Sequence, residues 1–164
     1  MATLTAGAQA PDFTLPGIDG RAYTLGEAAR RGPVVLAFGK SDCPTCALAF
    51  PYLERLHQAY PHDRWQLLAI LQDPTEDARA FAQAHALTFP VLAEPEPWPV
   101  SRAYDPEATP TIFAVEPGGR ISRVSAGFQK RDLNGLSADL ARQLEQEPVV
   151  VAPADDGKPA FRPG

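Results

Sequence analysis

Apolar residues fall into short uninterrupted runs that alternate with longer segments of mixed polarity. A continuous apolar run lies at residues 34–38, mainly apolar runs lie at residues 65–71 and 111–115, and a weaker run lies at residues 89–92. Strands that are buried on both faces of a sheet have this pattern, whereas half-exposed strands alternate apolar and polar residues. We therefore predict interior strands at residues 34–38 and 65–71, and further strands at residues 89–92 and 111–115.

Helical spacing of apolar residues marks three longer segments between and after these runs. The first begins at residue 43 and extends to residue 60, and Pro51 is expected to kink it. The second covers residues 75–85, with acidic residues in its first turn. The third covers residues 131–146, where leucines recur on one face.

Turn residues predict a tight connection near each end of this series of strands and helices. Residues 12–25 predict two short strands around a Pro-Gly turn, and Gly118-Gly119 predicts a hairpin. The order strand, helix, strand, helix, hairpin and helix predicts an α/β sheet covered on both faces. We expect one domain over residues 1–146 and a proline-rich tail over residues 147–164.

Proline, glycine and charged residues dominate that tail. We expect it to be either mobile or pinned to the surface by residues 149–151 and Phe161.

Composition removes several classes of function. The formal net charge is −5, so a nucleic-acid surface, which needs clustered positive charge, is not expected. No stretch approaches the roughly 18 apolar residues of a membrane helix. Residues 1–11 lack the basic and apolar regions of a secretory signal, which predicts a cytoplasmic protein. A mature exported form with a replacement Met would have the same features.

The chain contains two cysteines, Cys43 and Cys46, at the predicted start of a helix. A disulfide between them closes so small a loop that it adds little stability, so chemistry explains the pair better. The helix N-terminus, where Pro44 fits the first turn, stabilises a thiolate on Cys43. The spacing lets Cys46 attack a mixed disulfide on Cys43. Asp42 would oppose the thiolate, and Lys40 would offset part of that effect.

A zinc site is the competing interpretation of the same cysteines. Cys43, Cys46, His57 and His62 have a C-x2-C-x10-H-x4-H spacing, close to that of a zinc finger. All four lie on or just beyond one predicted helix, whose rise of about 1.5 Å per residue separates Cys46 from His57 by roughly 16 Å. We therefore expect no metal.

Three stretches resemble a known family. Residues 10–25, 34–46 and 108–121, together with Pro51 in the cysteine-bearing helix, are similar to the redoxin branch of the thioredoxin-like superfamily. That branch holds the TlpA/ResA-like thiol–disulfide oxidoreductases and is related to the AhpC/TSA peroxiredoxins. The resemblance covers roughly residues 8–146.

The resemblance implies a thioredoxin-like fold and a thiol–disulfide oxidoreductase. The fold would have a central mixed sheet flanked by helices, an N-terminal hairpin and an extra strand–helix insertion before a cis-proline loop. Cys43 would attack a substrate disulfide, Cys46 would resolve the mixed disulfide, and the loop would position the substrate backbone. The implied site residues are the catalytic Cys43 and Cys46 and the substrate-positioning Pro110, Thr109, Pro44 and Thr45.

The same resemblance implies the partners. The substrates would be protein or small-molecule disulfides and thiols, and the electrons would come from a reductant such as a thioredoxin or glutathione system. No cofactor is expected, and a cytoplasmic setting favours the reductase direction.

The sequence also departs from the family pattern. Asp42 replaces the aromatic residue that usually precedes the first cysteine, and residues 34–38 lack the buried acidic residue of thioredoxins. Glu94 and Asp73 are the candidates to accept a proton from Cys46.

Two other functions remain open at this point. A thiol-dependent peroxidase would use Cys43 as its peroxidatic cysteine, but position 40 is lysine where that family has threonine. Its arginine would have to be Arg102 or Arg123. A non-enzymatic redox-sensing module would instead change its affinity for a partner when the disulfide forms.

Overall fold

Short strands and helices alternate along the chain, and the computed structural model describes residues 2–164. The described strands are β1 (Thr14–Pro16), β2 (Ala22–Thr24), β3 (Val34–Gly39), β4 (Gln66–Leu71), β5 (Val91–Ala93), β6 (Thr111–Val115), β7 (Ile121–Ala126), β8 (Phe128–Gln129) and β9 (Phe161–Arg162). The helices of the same residues are α1 (Leu25–Arg31), α2 (Pro44–Ala59), α3 (Thr75–Ala84), α4 (Pro99–Tyr104) and α5 (Lys130–Leu144).

A mixed sheet with the order β5-β4-β3-β6-β7 forms the centre of the fold. β3 lies in the middle, where it pairs in parallel with β4 and antiparallel with β6. Every residue of β3 is buried, which is why this strand has a continuous apolar sequence. The predicted interior strands are therefore confirmed as the centre of the sheet.

Side chains of β3 alternate between two separate cores. Val35 and Ala37 pack on the face covered by α2, α3 and α5. Val34, Leu36 and Phe38 pack on the opposite face, which is covered by α1, α4 and the β1–β2 hairpin. Because only a short loop separates the end of β3 from the start of α2, the buried strand places the N-terminus of α2 at the carboxyl end of the central strand.

The predicted fold class is confirmed in its architecture. The β1–β2 hairpin is present at the N-terminus. Two strand–helix units, β4–α3 and β5–α4, lie between α2 and β6, as the expected insertion requires. No helix within residues 2–164 combines the length and apolar character needed to cross a membrane.

Helix α1 was not predicted, and its first residue, Leu25, was expected in a strand. Leu25 is buried, and its N–H donates to the carbonyl of Phe13. The carboxylate of Asp12 accepts a hydrogen bond from the N–H of Gly26 at 2.9 Å. Asp12 thus binds a free N–H group of the first helical turn from 14 residues away in the sequence, a contact that local pattern does not reveal.

The tail is pinned along α2 and α5. Val151 and Ala152 are each 2% exposed, and Asn134 makes two hydrogen bonds of 2.9 Å with the backbone of Ala152. Of the residues expected to pin the tail, only Val151 is buried, since Val149, Val150 and Phe161 are 41%, 68% and 54% exposed. Phe161 joins the fold through backbone pairing of β9 with β8, so it needs no buried side chain.

Candidate active site

Cys43 lies at the junction between a short loop and helix α2. It is the N-cap residue, with extended backbone angles, and Pro44 occupies the first helical position. The N–H of Cys46 donates to the Cys43 sulfur, Sγ, at 3.2 Å. This N–H is one of the groups that a helix N-terminus leaves without a partner, so it is available to stabilise negative charge on that sulfur.

Cys46 lies one turn further along α2 and is fully buried. Burial raises the pKa of its thiol strongly, and the hydrogen bond with Cys43 acts in the same direction. Both cysteines are free thiols in this structure, with Cys43 partly exposed. The two sulfurs therefore differ in solvent access: Cys43 is partly exposed, whereas Cys46 lies buried behind it as a protonated thiol.

Gly39, the last residue of β3, makes room for Cys46. A Cβ atom at this position would lie 3.1 Å from the sulfur of Cys46 and 3.2 Å from the ring of Phe50. The absence of a side chain at Gly39 thus allows the thiol to pack directly against the end of the central strand.

The loop between β3 and α2 is held from the neighbouring strand. Asp73, which follows β4 and is largely buried, accepts hydrogen bonds from the backbone N–H and the hydroxyl of Ser41 at 2.8 and 2.7 Å. Lys40 and Asp42 are both exposed, so their charges face solvent. Asp73 therefore fixes the path of the chain into Cys43.

A cis-proline loop closes the other side of Cys43. The peptide bond between Thr109 and Pro110 is cis, as the resemblance implied. The Cys43 thiol donates to the carbonyl oxygen of Thr109 at 3.2 Å. The carbonyl of Pro110 accepts from the N–H of Gly127 at 2.8 Å, which ties the loop to the start of β8. The structure thus brings residues far apart in sequence to one sulfur.

Thr45, the second residue between the cysteines, faces the tail. It is 4% exposed, and its hydroxyl donates to the carbonyl of Pro163 at 2.9 Å. Pro44, in contrast, is exposed at the tip of the helix.

The two candidates to accept a proton from Cys46 have other partners. Glu94 is buried and accepts hydrogen bonds from the N–H of Val100 and from the N–H and hydroxyl of Ser101. It therefore holds the first turn of α4. The carboxylate of Asp73 is bound to Ser41, as described above.

Residues considered for other functions also lie in structural contacts. His57 and His62 stack with ring centroids 3.8 Å apart at the far end of α2. Among residues 2–164, no group of three or more His, Cys, Asp or Glu side chains is placed to hold a metal ion. Arg123 is paired with Asp139 of α5 at 2.9 Å, and Arg102 is an exposed residue of α4.

The sequence-based predictions did not include Gly39, Gly127 or the last residues of the tail. Gly39 directly follows the apolar run at residues 34–38, and a glycine at the end of a buried strand is a signal for a close contact. The contact of Pro163 with Thr45 spans 118 positions and has no counterpart in local pattern.

Comparison with known proteins shows which family the chain belongs to. The sequence profile of the AhpC/TSA family matches residues 6–124. The thiol-disulfide oxidoreductase ResA of Geobacillus thermodenitrificans (strain NG80-2) is 28% identical over 143 residues, which cover 87% of this chain and 78% of that protein. A Chlorobium tepidum protein assigned as the thiol:disulfide interchange protein DsbE is 29% identical, with a TM-score of 0.77 over 87% of this chain and 99% of that one.

A more distant likeness concerns the fold alone. The thioredoxin domain of a thiol-disulfide oxidoreductase from Bacteroides vulgatus is 20% identical and has a TM-score of 0.74 over 84% of this chain and 99% of that domain. The chain therefore belongs to the AhpC/TSA family and is a thioredoxin-fold enzyme similar to the thiol–disulfide oxidoreductases.

Proposed function

We propose that this enzyme reduces disulfides through the motif Cys43-Pro44-Thr45-Cys46. The observation that carries the proposal is the arrangement of the two sulfurs: a partly exposed Cys43 that receives a helix N–H, and a fully buried Cys46 one turn behind it. Thiol–disulfide exchange requires a nucleophilic sulfur that a substrate reaches and a second sulfur that attacks the resulting mixed disulfide.

The reaction begins with attack of the Cys43 thiolate on one sulfur of the substrate disulfide. The substrate S–S bond breaks, a bond forms to Cys43, and the departing substrate thiolate takes up a proton. Cys46 then loses its proton and attacks the Cys43 sulfur, which releases the second substrate thiol. The substrate has gained two electrons and two protons, and a Cys43–Cys46 disulfide remains.

The buried state of Cys46 supports this division of roles. Because burial raises the pKa of Cys46, its thiol is a poor nucleophile toward molecules from solvent. Cys43 therefore attacks first, and Cys46 becomes a nucleophile when a mixed disulfide forms directly beside it. Thr109 and Pro110 would position the substrate backbone, with Pro44 and Thr45 on the helix side.

A reductase needs an external source of electrons to return Cys43–Cys46 to the dithiol. A thioredoxin or glutathione system would supply them, with protein or small-molecule disulfides as substrates. This direction fits a cytoplasmic setting, where the glutathione pool is poised at about −220 to −260 mV by biochemical extraction.

The test is the reduction potential of the Cys43–Cys46 couple. The protein is equilibrated in glutathione buffers of stated ratio, trapped by alkylation, and analysed by mass. A reversible two-electron couple near or below about −250 mV is expected of a reductase, whereas one near −150 mV would indicate an oxidant. The absence of a reversible couple between Cys43 and Cys46 would overturn the proposal.

Matched cysteine variants test the order of the steps. Cys46→Ser is expected to accumulate a mixed disulfide between Cys43 and a substrate thiol. Cys43→Ser removes the accessible sulfur and is expected to accumulate none. The opposite pattern would reverse the assigned roles.

A further inference from the structure

The last residues of the chain lie on the candidate active site. Pro163 accepts a hydrogen bond from the hydroxyl of Thr45, inside the cysteine motif, at 2.9 Å. Gly164 packs so closely on the cis-proline loop that a Cβ atom there would be 2.4 Å from the carbonyl oxygen of Thr109. That same oxygen accepts the thiol hydrogen bond of Cys43. The tail therefore reaches both sides of the reactive sulfur.

The segment lies there as an added strand. β9 pairs antiparallel with β8, with Arg162 opposite Phe128 and Phe161 opposite Gln129. Gly127 permits the close approach, since a Cβ atom there would lie 2.8 Å from the carbonyl oxygen of Arg162. Pro163 has no N–H to donate to the β-ladder, which ends at this residue. Its carbonyl oxygen accepts a hydrogen bond from the Thr45 hydroxyl.

Backbone groups form most of these contacts, and side-chain burial is small. Residues 158–164 are exposed throughout, whereas Val151 and Ala152 upstream are buried. The tail thus has an anchored part and a terminal part that apolar packing does not hold. A segment held in this way is displaced more readily than one with a buried side chain.

A polar clasp connects the two parts. Asp156 binds the Lys130 ammonium at 2.6 Å and also accepts a hydrogen bond from the hydroxyl of Tyr52. These two contacts hold the pKa of Asp156 well below its usual range. Lys130 binds the carbonyl oxygens of Pro153 and Lys158 as well, so the clasp directs the chain from its anchor toward β8.

We propose that residues 159–164 act as an internal competitor that occupies the binding site of a polypeptide substrate. An extended segment of that substrate, next to its disulfide, takes the same place along β8 and displaces the tail. The inference rests on the proposed function and adds the substrate class. The site recognises main-chain groups, because the edge of β8 and the Thr45 hydroxyl bind backbone atoms of the tail.

Two substrates with the same leaving group separate this inference from a structural role of the tail. One is a linear peptide whose cysteine is capped as a mixed disulfide with 2-mercaptoethanol, and the other is bis(2-hydroxyethyl) disulfide. A polypeptide has to displace the tail to bind, whereas the small disulfide needs only access to Cys43. The ratio of kcat/KM for the two substrates therefore reports how far the tail occupies the site.

Asp156→Asn loosens the clasp without touching the cysteine motif, and it keeps one side-chain acceptor for Lys130. Its matched control is Asp155→Asn, which removes the same charge at the adjacent exposed position. Asp156→Asn is expected to raise kcat/KM for the peptide by about tenfold through a lower KM, because the competent fraction increases. The small disulfide should react at an unchanged rate, and Asp155→Asn should resemble the parent for both substrates.

A synthetic peptide of residues 158–164 provides a second measurement that does not depend on the variant's stability. It should inhibit Asp156→Asn competitively with the peptide substrate and inhibit the parent chain much less. Equal rates of parent and Asp156→Asn on the peptide, or equal loss on both substrates, would overturn the inference. Failure of the parent chain to exchange either disulfide would instead overturn the proposed function.

Discussion

Gly39→Ala places a methyl group between the central strand and the buried sulfur. The new Cβ atom would lie 3.1 Å from the sulfur of Cys46 and 3.2 Å from the nearest ring carbon of Phe50. Both distances are shorter than ordinary van der Waals contacts, which lie near 3.5–4.0 Å between carbon atoms. Either the strand or its neighbours must therefore move by a few tenths of an ångström.

The surroundings determine which group yields. The carbonyl of Gly39 accepts from the N–H of Gln72 at 3.0 Å, and Gly39 is in register with Leu71. The Phe50 ring packs edge-on against Phe81 with centroids 5.2 Å apart. Since the strand and the ring are both held, we expect Cys46 to shift. Overpacking of this kind costs about 1–3 kcal/mol, a factor of roughly 5 to 150 in the folding equilibrium.

Two assays measure the consequences of a displaced Cys46. Urea unfolding of the dithiol form should show a free energy of unfolding lower by about 1–3 kcal/mol. Cys43 is then loaded with 2-nitro-5-thiobenzoate, and release of this chromogenic thiol reports attack by Cys46. A displacement of the attacking sulfur should slow that release by about three- to tenfold.

Gly26→Ala in α1 is the matched control. Its Cβ atom would also meet an atom at 3.1 Å, but that atom is Oδ2 of the flexible Asp12 side chain, which can give way by a few tenths of an ångström while Oδ1 keeps its hydrogen bond from the N–H of Gly26. Alanine also favours a helix over glycine by roughly 0.5–1 kcal/mol, so this variant should be at least as stable as the parent. Unchanged stability and unchanged thiol release in Gly39→Ala would refute the reasoning about the packed sulfur.

Three further predictions concern the loop, the thiols and a buried histidine. Asp73→Asn weakens both hydrogen bonds to the loop before Cys43 and should lower the free energy of unfolding by about 1–2 kcal/mol in urea titrations; no change would show that the loop is held otherwise. Because burial raises the pKa of Cys46, iodoacetamide should label Cys43 alone in the native dithiol even near pH 9, as peptide mapping would show; equal labelling would contradict this. Burial lowers the pKa of His57, so the unfolded chain binds its proton more readily and stability should fall as the pH drops below about 6.5. The urea midpoint should therefore decrease from about pH 7.5 to 5.5, and His57→Leu should flatten that decrease.

Strands that are buried on both faces were readable from sequence. Each residue of β3 is surrounded by apolar groups, so selection for burial leaves a continuous apolar run. The helices α2, α3 and α5 were readable because one face of each packs on the sheet and repeats at helical spacing. Both signals are local, so both can be read from the sequence without knowledge of the rest of the fold.

The elements that sequence missed are short or held by distant partners. β8 and β9 have two residues each, and their pairing uses backbone groups that every residue possesses. Helix α1 has seven residues, and the carboxylate of Asp12 binds the N–H of Gly26 across the β1–β2 hairpin. Neither arrangement leaves a periodic pattern in the chain.

The candidate site combines both kinds of information. The spacing of Cys43 and Cys46 at the start of a helix, and a proline after Thr109, are features of consecutive residues. The depth of Cys46, the anchoring of the loop by Asp73, and the carbonyl of Thr109 beside the thiol depend on segments that meet across the sheet. The helix position predicted a role for each sulfur, but the accessibility and the pKa of each thiol follow from these tertiary neighbours.

By itself, then, the sequence determined an α/β fold around a few buried strands and a pair of cysteines at a helix N-terminus. Burial periodicity and helix-end chemistry are carried by neighbouring residues, which is why they could be inferred. Only the tertiary structure decided that Gly39 admits Cys46 and that Pro163 reaches Thr45. Those contacts join backbone atoms and small residues over long separations, and their free energy depends on geometry more than on residue type.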